Sequence, residues 1–290
     1  MQSPADTAHA IDLNAWFSHQ LDAQDPDLHY SEQLWDRRAA EVSSFTVSAD
    51  DLALQTLQQR LQLKGSRVLE ISFGGGRHLL EFARHGARIS GVEISANMIA
   101  HTRDKLRQLD PPLQDSELIQ SAWENVDLAH LGWEQAFDLV FLYMSPAISS
   151  TAMLRKVLNA SRSHVYLALY CDRSDSLLSE LQDEFGLERR SVGSKGADDL
   201  YTLFNLLYQW GHFPELRFEE RVKTSAHPPA RILERYVSWL WREQADDSKR
   251  EQLRAALERR ANNKLVSTQS RDIVGHLLLD TRLRSSLHSS

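Results

Sequence analysis

The sequence predicts an α/β protein with a seven-stranded, mostly parallel sheet that is covered by helices on both faces. Short apolar runs of strand length alternate with helical periodicity between residues 66 and 171. The run Phe137–Tyr143 is almost entirely apolar, which is typical of a central strand buried on both faces. A glycine-rich turn, Gly74-Gly75-Gly76, joins the first strand to the helix after it. Strands that alternate with helices favour parallel neighbours and right-handed crossovers.

Three helices are expected before the first strand. Apolar positions between Ile11 and Leu21 fit a short amphipathic helix, which Asp25-Pro26-Asp27 ends. Two further helices are predicted at residues 31–43 and 49–62.

The core then alternates strands and helices. Its strands are predicted at 67–72, 87–93, 117–121, 137–143 and 164–171. Its helices are predicted at 77–84, 96–107 and 151–160. Gly86 fits a left-handed cap at the end of the first of these helices, and Ser95 fits an N-cap of the second.

The pattern is weaker after residue 172. We expect in order a helix at 176–185, a mobile loop at 189–199, a helix or strand at 201–209, a strand at 216–223, helices at 230–242 and 247–260, and a strand at 273–279. Tyr236, Trp239 and Trp241 are interpreted as core residues in preference to pocket lining.

The predicted organisation has three parts. Residues 1–62 form N-terminal helices over a cofactor site, residues 63–175 form the binding core, and residues 176–290 complete the sheet with helices that shape the site of a second substrate.

Composition excludes several classes of protein. The formal net charge is −7, so a nucleic-acid partner is not expected. No stretch reaches the ~20 apolar residues of a membrane span, and no basic-then-apolar signal begins the chain, so we expect a cytoplasmic protein. The single cysteine, Cys171, and the absence of paired histidines at ligand spacing predict no metal site. The oligomeric state is left open.

Two acids flank the glycine turn. Glu70 lies near the end of the first strand, and Glu93 ends the second. Ligands of open parallel sheets bind outside the carboxyl ends of the strands, and glycine lets the backbone approach them closely. An acid at the end of the second strand can accept hydrogen bonds from both hydroxyls of a ribose, and Glu70 can anchor an ammonium group. A dinucleotide site would need a third glycine where Leu79 stands, which argues against NAD.

The run from Val68 to Leu106 resembles the first two motifs of class I S-adenosylmethionine-dependent methyltransferases, which have a Rossmann-like fold. Glu70, Gly74 and Gly76 match an acid followed by alternating glycines. Ser72 stands where the first glycine is usual, and Phe73 is bulkier than the common residue. The serine is expected to keep the backbone path if its φ stays negative.

The resemblance implies S-adenosyl-L-methionine as cofactor and assigns residues to it. Glu93 would bind the ribose, and Ile94 and Met98 would flank the adenine. In a segment that resembles the third motif, Ala122 replaces an acid that often bonds the adenine, and Trp123 would pack against the ring. The expected cofactor-binding residues are Glu70, Ser72, Gly74, Gly75, Gly76, Glu93, Ile94, Met98, Ala122, Trp123 and Tyr143.

The segment Phe137–Ile148 resembles the fourth motif, at the edge of the methyl-transfer pocket. Ser145 and Pro146 match half of a motif that orients an acceptor nitrogen, but a simple proline turn is the favoured interpretation. Tyr30 and Trp35 are further candidates for contact with the substrate. His78 is expected to have a supporting role in preference to that of a general base. No catalytic residue is identified.

The leading hypothesis is therefore methyl transfer to nitrogen or oxygen of a small molecule. A non-catalytic partner or regulatory subunit that binds the same cofactor is the alternative, motivated by Ser72 and Ala122. A nucleotide-dependent oxidoreductase is a third hypothesis, against which Leu79 argues.

Overall fold

A computed structural model describes residues 12–22, 28–42, 46–48, 50–111, 113, 116–189, 196–241 and 245–286. Its helices are α1 (Leu13–Asp22), α2 (Leu28–Val42), α3 (Leu52–Arg60), α4 (Arg77–Arg84), α5 (Ala96–Arg107), α6 (Thr151–Ala160), α7 (Ser176–Glu184), α8 (Gly196–Gln209), α9 (Pro229–Trp241) and α10 (Asp247–Arg260). Its strands are β1 (Arg67–Ile71), β2 (Arg88–Glu93), β3 (Glu117–Gln120), β4 (Phe137–Tyr143), β5 (Ser161–Asp175), β6 (Glu215–His227) and β7 (Val266–Asp280). A 3-10 helix spans Trp123–Asn125.

The strands form one sheet in the order β3-β2-β1-β4-β5-β7-β6. The pairs β2–β3, β1–β2, β1–β4 and β4–β5 are parallel, so the carboxyl ends of β1, β2 and β4 lie at one edge. The apolar strand β4 has β1 on one side and β5 on the other, as its composition predicts. The predicted α/β class with a mostly parallel seven-stranded sheet is confirmed.

Local sequence signals explain where the helices begin. Ser95 accepts a hydrogen bond from the amide of Met98, and Ser150 accepts one from Met153, so these two side chains cap α5 and α6. Asp175 caps α7 in the same way. Gly86 has a φ of 79°, which is the left-handed conformation expected of it after α4. The bounds of α4, α5, α6, α10 and β4 are those that the sequence predicts.

Several predicted bounds are wrong beyond residue 160. Strands β5 and β7 extend well past their apolar centres into polar sequence, where Arg173 and Asp272 pair at 3.1 Å. Such polar positions alternate too weakly to be recognised as strand in a single sequence. Residues 196–199, predicted as loop, begin α8, and residues 201–209 are helical. The rest of that predicted loop at 190–195 lies outside the described residues.

The chain divides into two compact units. The first comprises Met1–Ala168, Tyr201–Leu216 and His276–Ser290. It contains β1 to β4 with α1 to α6, and its core includes Val68, Leu79, Phe141 and Leu154.

The second unit comprises Leu169–Leu200 and Arg217–Gly275. Its core is built from α7, α9 and α10, with Leu181 and Leu257 fully buried. Tyr236 is buried there and donates a hydrogen bond to Asp175 at 2.8 Å, while Trp239 and Trp241 pack against the same cluster. These three aromatic residues are therefore core residues, as interpreted. In the described part of the chain, no helix has both the length and the apolar character that crossing a membrane requires.

Candidate functional site

The turn between β1 and α4 has an unusual backbone. Ser72, Gly74 and Gly76 have φ values of 56°, 54° and 70°, all in the left-handed region. The condition stated for Ser72, that its φ stays negative, is therefore not met. Its amide donates to the carbonyl of Val92 at 2.7 Å, so pairing with β2 holds the serine in this conformation.

Two close approaches explain the shape of the turn. A Cβ on Gly76 would lie 2.5 Å from Cγ2 of Thr102 on α5, so only glycine fits there. A Cβ on Gly91 of β2 would lie 2.6 Å from the ring of Phe73. The bulky Phe73, which departs from the usual motif, is thus accommodated by a glycine on the neighbouring strand.

Glu93, at the carboxyl end of β2, is buried and holds the turn through backbone amides. Its Oε2 accepts from the amide of Gly74 at 2.8 Å, and its Oε1 accepts from the amide of Ser95 at 3.0 Å. Burial raises the pKa of the Glu93 carboxyl, while these amides and that of Ile94 oppose the rise. Both oxygens therefore have donors within the fold.

Glu70, on β1, is buried on the other side of the turn. It accepts from the amide of Leu79 in the first turn of α4, where the end of the helix favours a negative charge. No described residue donates to its Oε2. Burial, together with the nearby Glu93, raises the pKa of Glu70 to about 8, against the opposing effects of the Arg77 charge and the Leu79 amide.

Helix α5 holds the outer side of the turn. The hydroxyl of Thr102 donates to the carbonyl of Gly74 at 3.4 Å, and the ammonium of Lys105 donates to the carbonyl of Gly75 at 3.2 Å. Residues three apart share one face of a helix, so this pair faces the turn together. Partial burial lowers the pKa of Lys105.

The residues assigned to the adenine differ in their surroundings. Ile94 is half-buried after β2, while Met98 is fully buried in α5. Ala122 precedes the 3-10 helix in an extended conformation. Trp123 is buried, and no described residue accepts from its Nε1. The ammonium of Lys156 lies 5.0 Å from the centroid of the Trp123 ring.

Tyr143 ends β4 and is buried beneath α4. Its ring centroid lies 4.3 Å from that of His78, and the guanidinium of Arg77 lies 4.9 Å from it. Nε2 of His78 is 3.4 Å from Oδ2 of Asp51, the residue that caps α3. His78 thus packs between Tyr143 and Asp51, and the supporting role expected of it stays a prediction.

Ser145 and Pro146 lie directly beyond Tyr143. The hydroxyl of Ser145 accepts from the amide of Ala147 at 3.2 Å, which closes a local turn, and Pro146 is exposed. These contacts agree with the favoured interpretation as a proline turn.

An aspartate from each N-terminal helix or its cap reaches the first turn of a core helix. Asp22 of α1 accepts from the amide and the hydroxyl of Thr151, at the start of α6. Asp36 of α2 accepts from the hydroxyl of Ser95 at 2.5 Å and the amide of Asn97 at 3.2 Å. Asp51 contacts His78 of α4, as described above. These helix ends follow β4, β2 and β1, so the three contacts lie at the carboxyl edge of the sheet.

The two N-terminal residues proposed for substrate contact are both on α2. Trp35 is half-buried, and the guanidinium of Arg38 lies 5.1 Å from its ring centroid. The side chain of Tyr30 lies outside the described residues.

Sequence reasoning did not identify Thr102, Lys105, Asp22 or Asp51. The bounds of α5 were predicted, so the spacing of Thr102 and Lys105 was the available signal for the first two. Among the described residues there is no group of three or more histidine, cysteine, aspartate or glutamate side chains that could hold a metal ion.

A sequence profile of a family described as methyltransferase domain matches residues 68–165. Ubiquinone biosynthesis O-methyltransferases of two Coxiella burnetii strains, Dugway 5J108-111 and RSA 493, are 29% identical over 79 residues. That match covers 26% of this chain and 34% of each relative, so the chain spans about a third of their length.

Two solved structures illustrate the structural likeness. Magnesium protoporphyrin IX methyltransferase from Synechocystis PCC 6803, with bound SAH, aligns over 94% of this chain and 95% of its own, with 16% identity and a TM-score of 0.44. Precorrin-6y C5,15-methyltransferase from Geobacter metallireducens GS-15 aligns over 81% of this chain and 92% of its own, with 13% identity and a TM-score of 0.45.

The matched residues contain the glycine turn, both buried acids and the whole of β4. They also contain the motifs whose resemblance the sequence shows. Over residues 68–165 the chain is therefore similar to a methyltransferase domain, as the resemblance of its motifs predicts.

Proposed function

We propose that this protein binds S-adenosylmethionine and transfers its methyl group to nitrogen or oxygen of a small molecule. The observation that carries the proposal is a glycine turn bracketed by two buried carboxylates, one of which has an oxygen without a donor among the described residues.

The residues present fit a cationic ligand. A buried carboxylate oxygen without a donor is costly, because burial removes water without replacing its hydrogen bonds. An ammonium group beside Glu70 would supply both the missing donor and the opposite charge. Gly76 has no Cβ that would contact Thr102, and three residues of the turn have left-handed backbone conformations. The backbone of the turn can therefore lie close to a ligand.

The two acids would divide the cofactor between them. Glu70 would hold the ammonium of its amino-acid part, and Glu93 would accept from the ribose hydroxyls with lone pairs that Gly74 and Ser95 leave free. Trp123, whose buried Nε1 has no described acceptor, would lie beside the adenine and donate to it. When bound, S-adenosylmethionine supplies an electrophilic methyl group.

This chain's own residues hold and enclose the reactants. Tyr143, with Arg77 and His78 packed against it, would form a rigid wall where β4 ends. Positioning the acceptor close to the methyl group and excluding water can supply much of the rate enhancement, so no general base is assigned. Helices α1 to α3, anchored by Asp22, Asp36 and Asp51, would cover the cofactor.

Two further observations favour a small acceptor. The chain has a net charge of −7, which disfavours binding to polyanions. The curated relatives that match part of the domain are named ubiquinone biosynthesis O-methyltransferases, which supports the proposal of a small acceptor.

Calorimetric titration of the purified chain with S-adenosylmethionine and S-adenosylhomocysteine tests the cofactor. We expect saturable binding of both. Failure of both to bind would refute the proposal.

The same preparation distinguishes a methyltransferase from a non-catalytic cofactor-binding subunit. Methyl-labelled S-adenosylmethionine is incubated with the protein and fractions of small cellular metabolites. Label that moves to a metabolite, with stoichiometric formation of S-adenosylhomocysteine, supports the enzyme. Tight binding without transfer to any fraction would favour the subunit.

A further inference from the structure

Strand β6 forms one end of the sheet. In the described residues its only strand neighbour is β7. None of its thirteen residues is buried, and Phe218 and Val222 are 61% and 56% exposed. An edge strand presents unpaired backbone donors and acceptors, and exposed apolar side chains on such an edge favour pairing with another chain.

The charges of β6 alternate along one face. Glu215, Arg217, Glu219 and Arg221 occupy successive positions of that face, since side chains two apart point the same way. At equal distances on the two sides of Phe218, the charged residues of this face have opposite signs. An antiparallel copy of the strand centred on Phe218 would therefore place Arg217 opposite Glu219, and Glu215 opposite Arg221, twice each across the two-fold axis.

We infer that β6 pairs antiparallel with β6 of a second copy of this chain, with the two Phe218 rings meeting at the two-fold axis. Opposite charges and aromatic rings that face each other across strands stabilise a pair of strands. A C2 interface of this kind uses the same surface on both copies. Edge pairing would also give each strand backbone partners on its outer side, where the described residues provide no strand.

The charge pattern selects one register. With the two-fold axis perpendicular to the sheet, a shift of the centre to residue 217 places Glu215 opposite Glu219 of the second copy. A shift to residue 219 places Arg217 opposite Arg221. Like charges directly opposite each other are destabilising, so both neighbouring registers are disfavoured.

The balance of charge also permits self-association. The strand carries three glutamates, two arginines and one lysine, so it is neutral in a chain whose net charge is −7. Within one copy, Glu219 already contacts Arg221, and Glu220 contacts Arg271 at 2.6 Å. The second copy would extend the first of these pairs into a ladder of alternating charges.

Sedimentation equilibrium of the full chain tests the association. We expect a dimer. Glu219→Arg should raise its dissociation constant by about tenfold, because two attractive cross-strand pairs become repulsive. Adding Arg217→Glu to that variant exchanges the two charges and should restore dimerisation. Lys223→Glu, on the same strand but beyond the paired residues, is the matched control and should leave it unchanged.

Cross-linking tests the register. Because Cys171 is half-buried, the experiment uses a Cys171→Ser background. Phe218→Cys should form a disulfide between two copies under mild oxidation, and Glu220→Cys should not, because residue 220 lies opposite Leu216. Three results would overturn the inference. The chain could be monomeric at all concentrations, the dimer could be unchanged by the charge substitutions, or both cysteine positions could cross-link equally. Circular dichroism of each variant verifies that it is folded.

Discussion

The carboxyl ends of β1 and β2 carry the same chemical group in opposite situations. Glu70 and Glu93 are both buried, at 3% and 4% exposure, and each borders the glycine turn. Glu93 receives an amide donor on each oxygen, whereas Glu70 has an oxygen that no described residue satisfies. The difference indicates that Glu93 is part of what folds the turn, while Glu70 is held ready for a partner from outside the chain.

The energetic consequence follows from burial. A buried carboxylate with fixed amide donors is compensated, but one with an empty lone pair keeps most of its desolvation cost. Sites that retain such a cost usually have a function that requires it. Substitution of the two acids by glutamine should therefore change stability in opposite directions.

The largest effect on cofactor affinity is expected for Glu93→Gln. The new amide nitrogen must face the N–H of either Gly74 or Ser95, so one buried donor loses its acceptor, at a cost of about 2 kcal/mol. Because the same substitution disturbs the turn and removes a ribose partner, we expect the affinity for S-adenosylhomocysteine to fall by roughly a hundredfold. Thermal unfolding without ligand and calorimetry measure the two losses.

Asp104→Asn is the control for this substitution. Asp104 is an exposed carboxylate on α5 that pairs with Arg107 at the surface, so its replacement should change neither quantity appreciably. If Glu93→Gln unfolded at the same temperature as the original protein, the structural role assigned to Glu93 would be wrong.

Glu70→Gln should have the opposite effect on the free protein. The pKa of about 8 in the folded protein lies above the ordinary value of 4.5, so the native state binds more protons than the unfolded state between these values. Stability contributed by the neutral form is fully present below pH 4.5 and is lost as the pH rises through 8. Glutamine removes that loss, which is about 5 kcal/mol in full. Unfolding temperatures at pH 6 and pH 9 should therefore converge in the variant.

Cofactor binding should release a proton from the same carboxyl group, that of Glu70. At pH 7 the free protein carries a proton on Glu70, and an arriving ammonium group favours the ionised form, so binding should release close to one proton. Titrations in buffers of different ionisation enthalpy measure the release. Glu70→Gln should bind about tenfold or more weakly and release none. Equal proton release from both proteins would show that another group titrates.

The contrast between the acids also marks the limit of what the sequence predicts. Alternating apolar runs predicted β1, β2 and β4, and the glycine turn predicted where Glu70 and Glu93 meet. The sequence does not indicate that Glu93 accepts hydrogen bonds from the amides of Gly74 and Ser95, because these bonds depend on the left-handed backbone at Ser72. The pairing of Ser72 with Val92 accompanies a left-handed conformation that the sequence does not predict.

Long-range contacts between polar residues could not be predicted from the sequence either. Asp22 and Thr151 are far apart in sequence, and neither belongs to a recognisable motif, yet their contact joins α1 to α6. The outer parts of β5 and β7 were missed because their polar residues are stabilised by each other, as Arg173 and Asp272 are. The three-part division of the chain at residues 62 and 175 stays a prediction.

The smallest effect is expected on the outer side of the turn, where Lys105→Met tests whether the glycine backbone needs external support. The substitution keeps the apolar stem of the side chain and removes its hydrogen bond to the carbonyl of Gly75, which is worth about 1 kcal/mol. Affinity for S-adenosylhomocysteine should fall by only about fivefold, with little change in stability. Arg107→Met, exposed on the same helix, is the matched control. A loss as large as that of Glu93→Gln would mean that α5, and not the carboxyl end of β2, determines the shape of the turn.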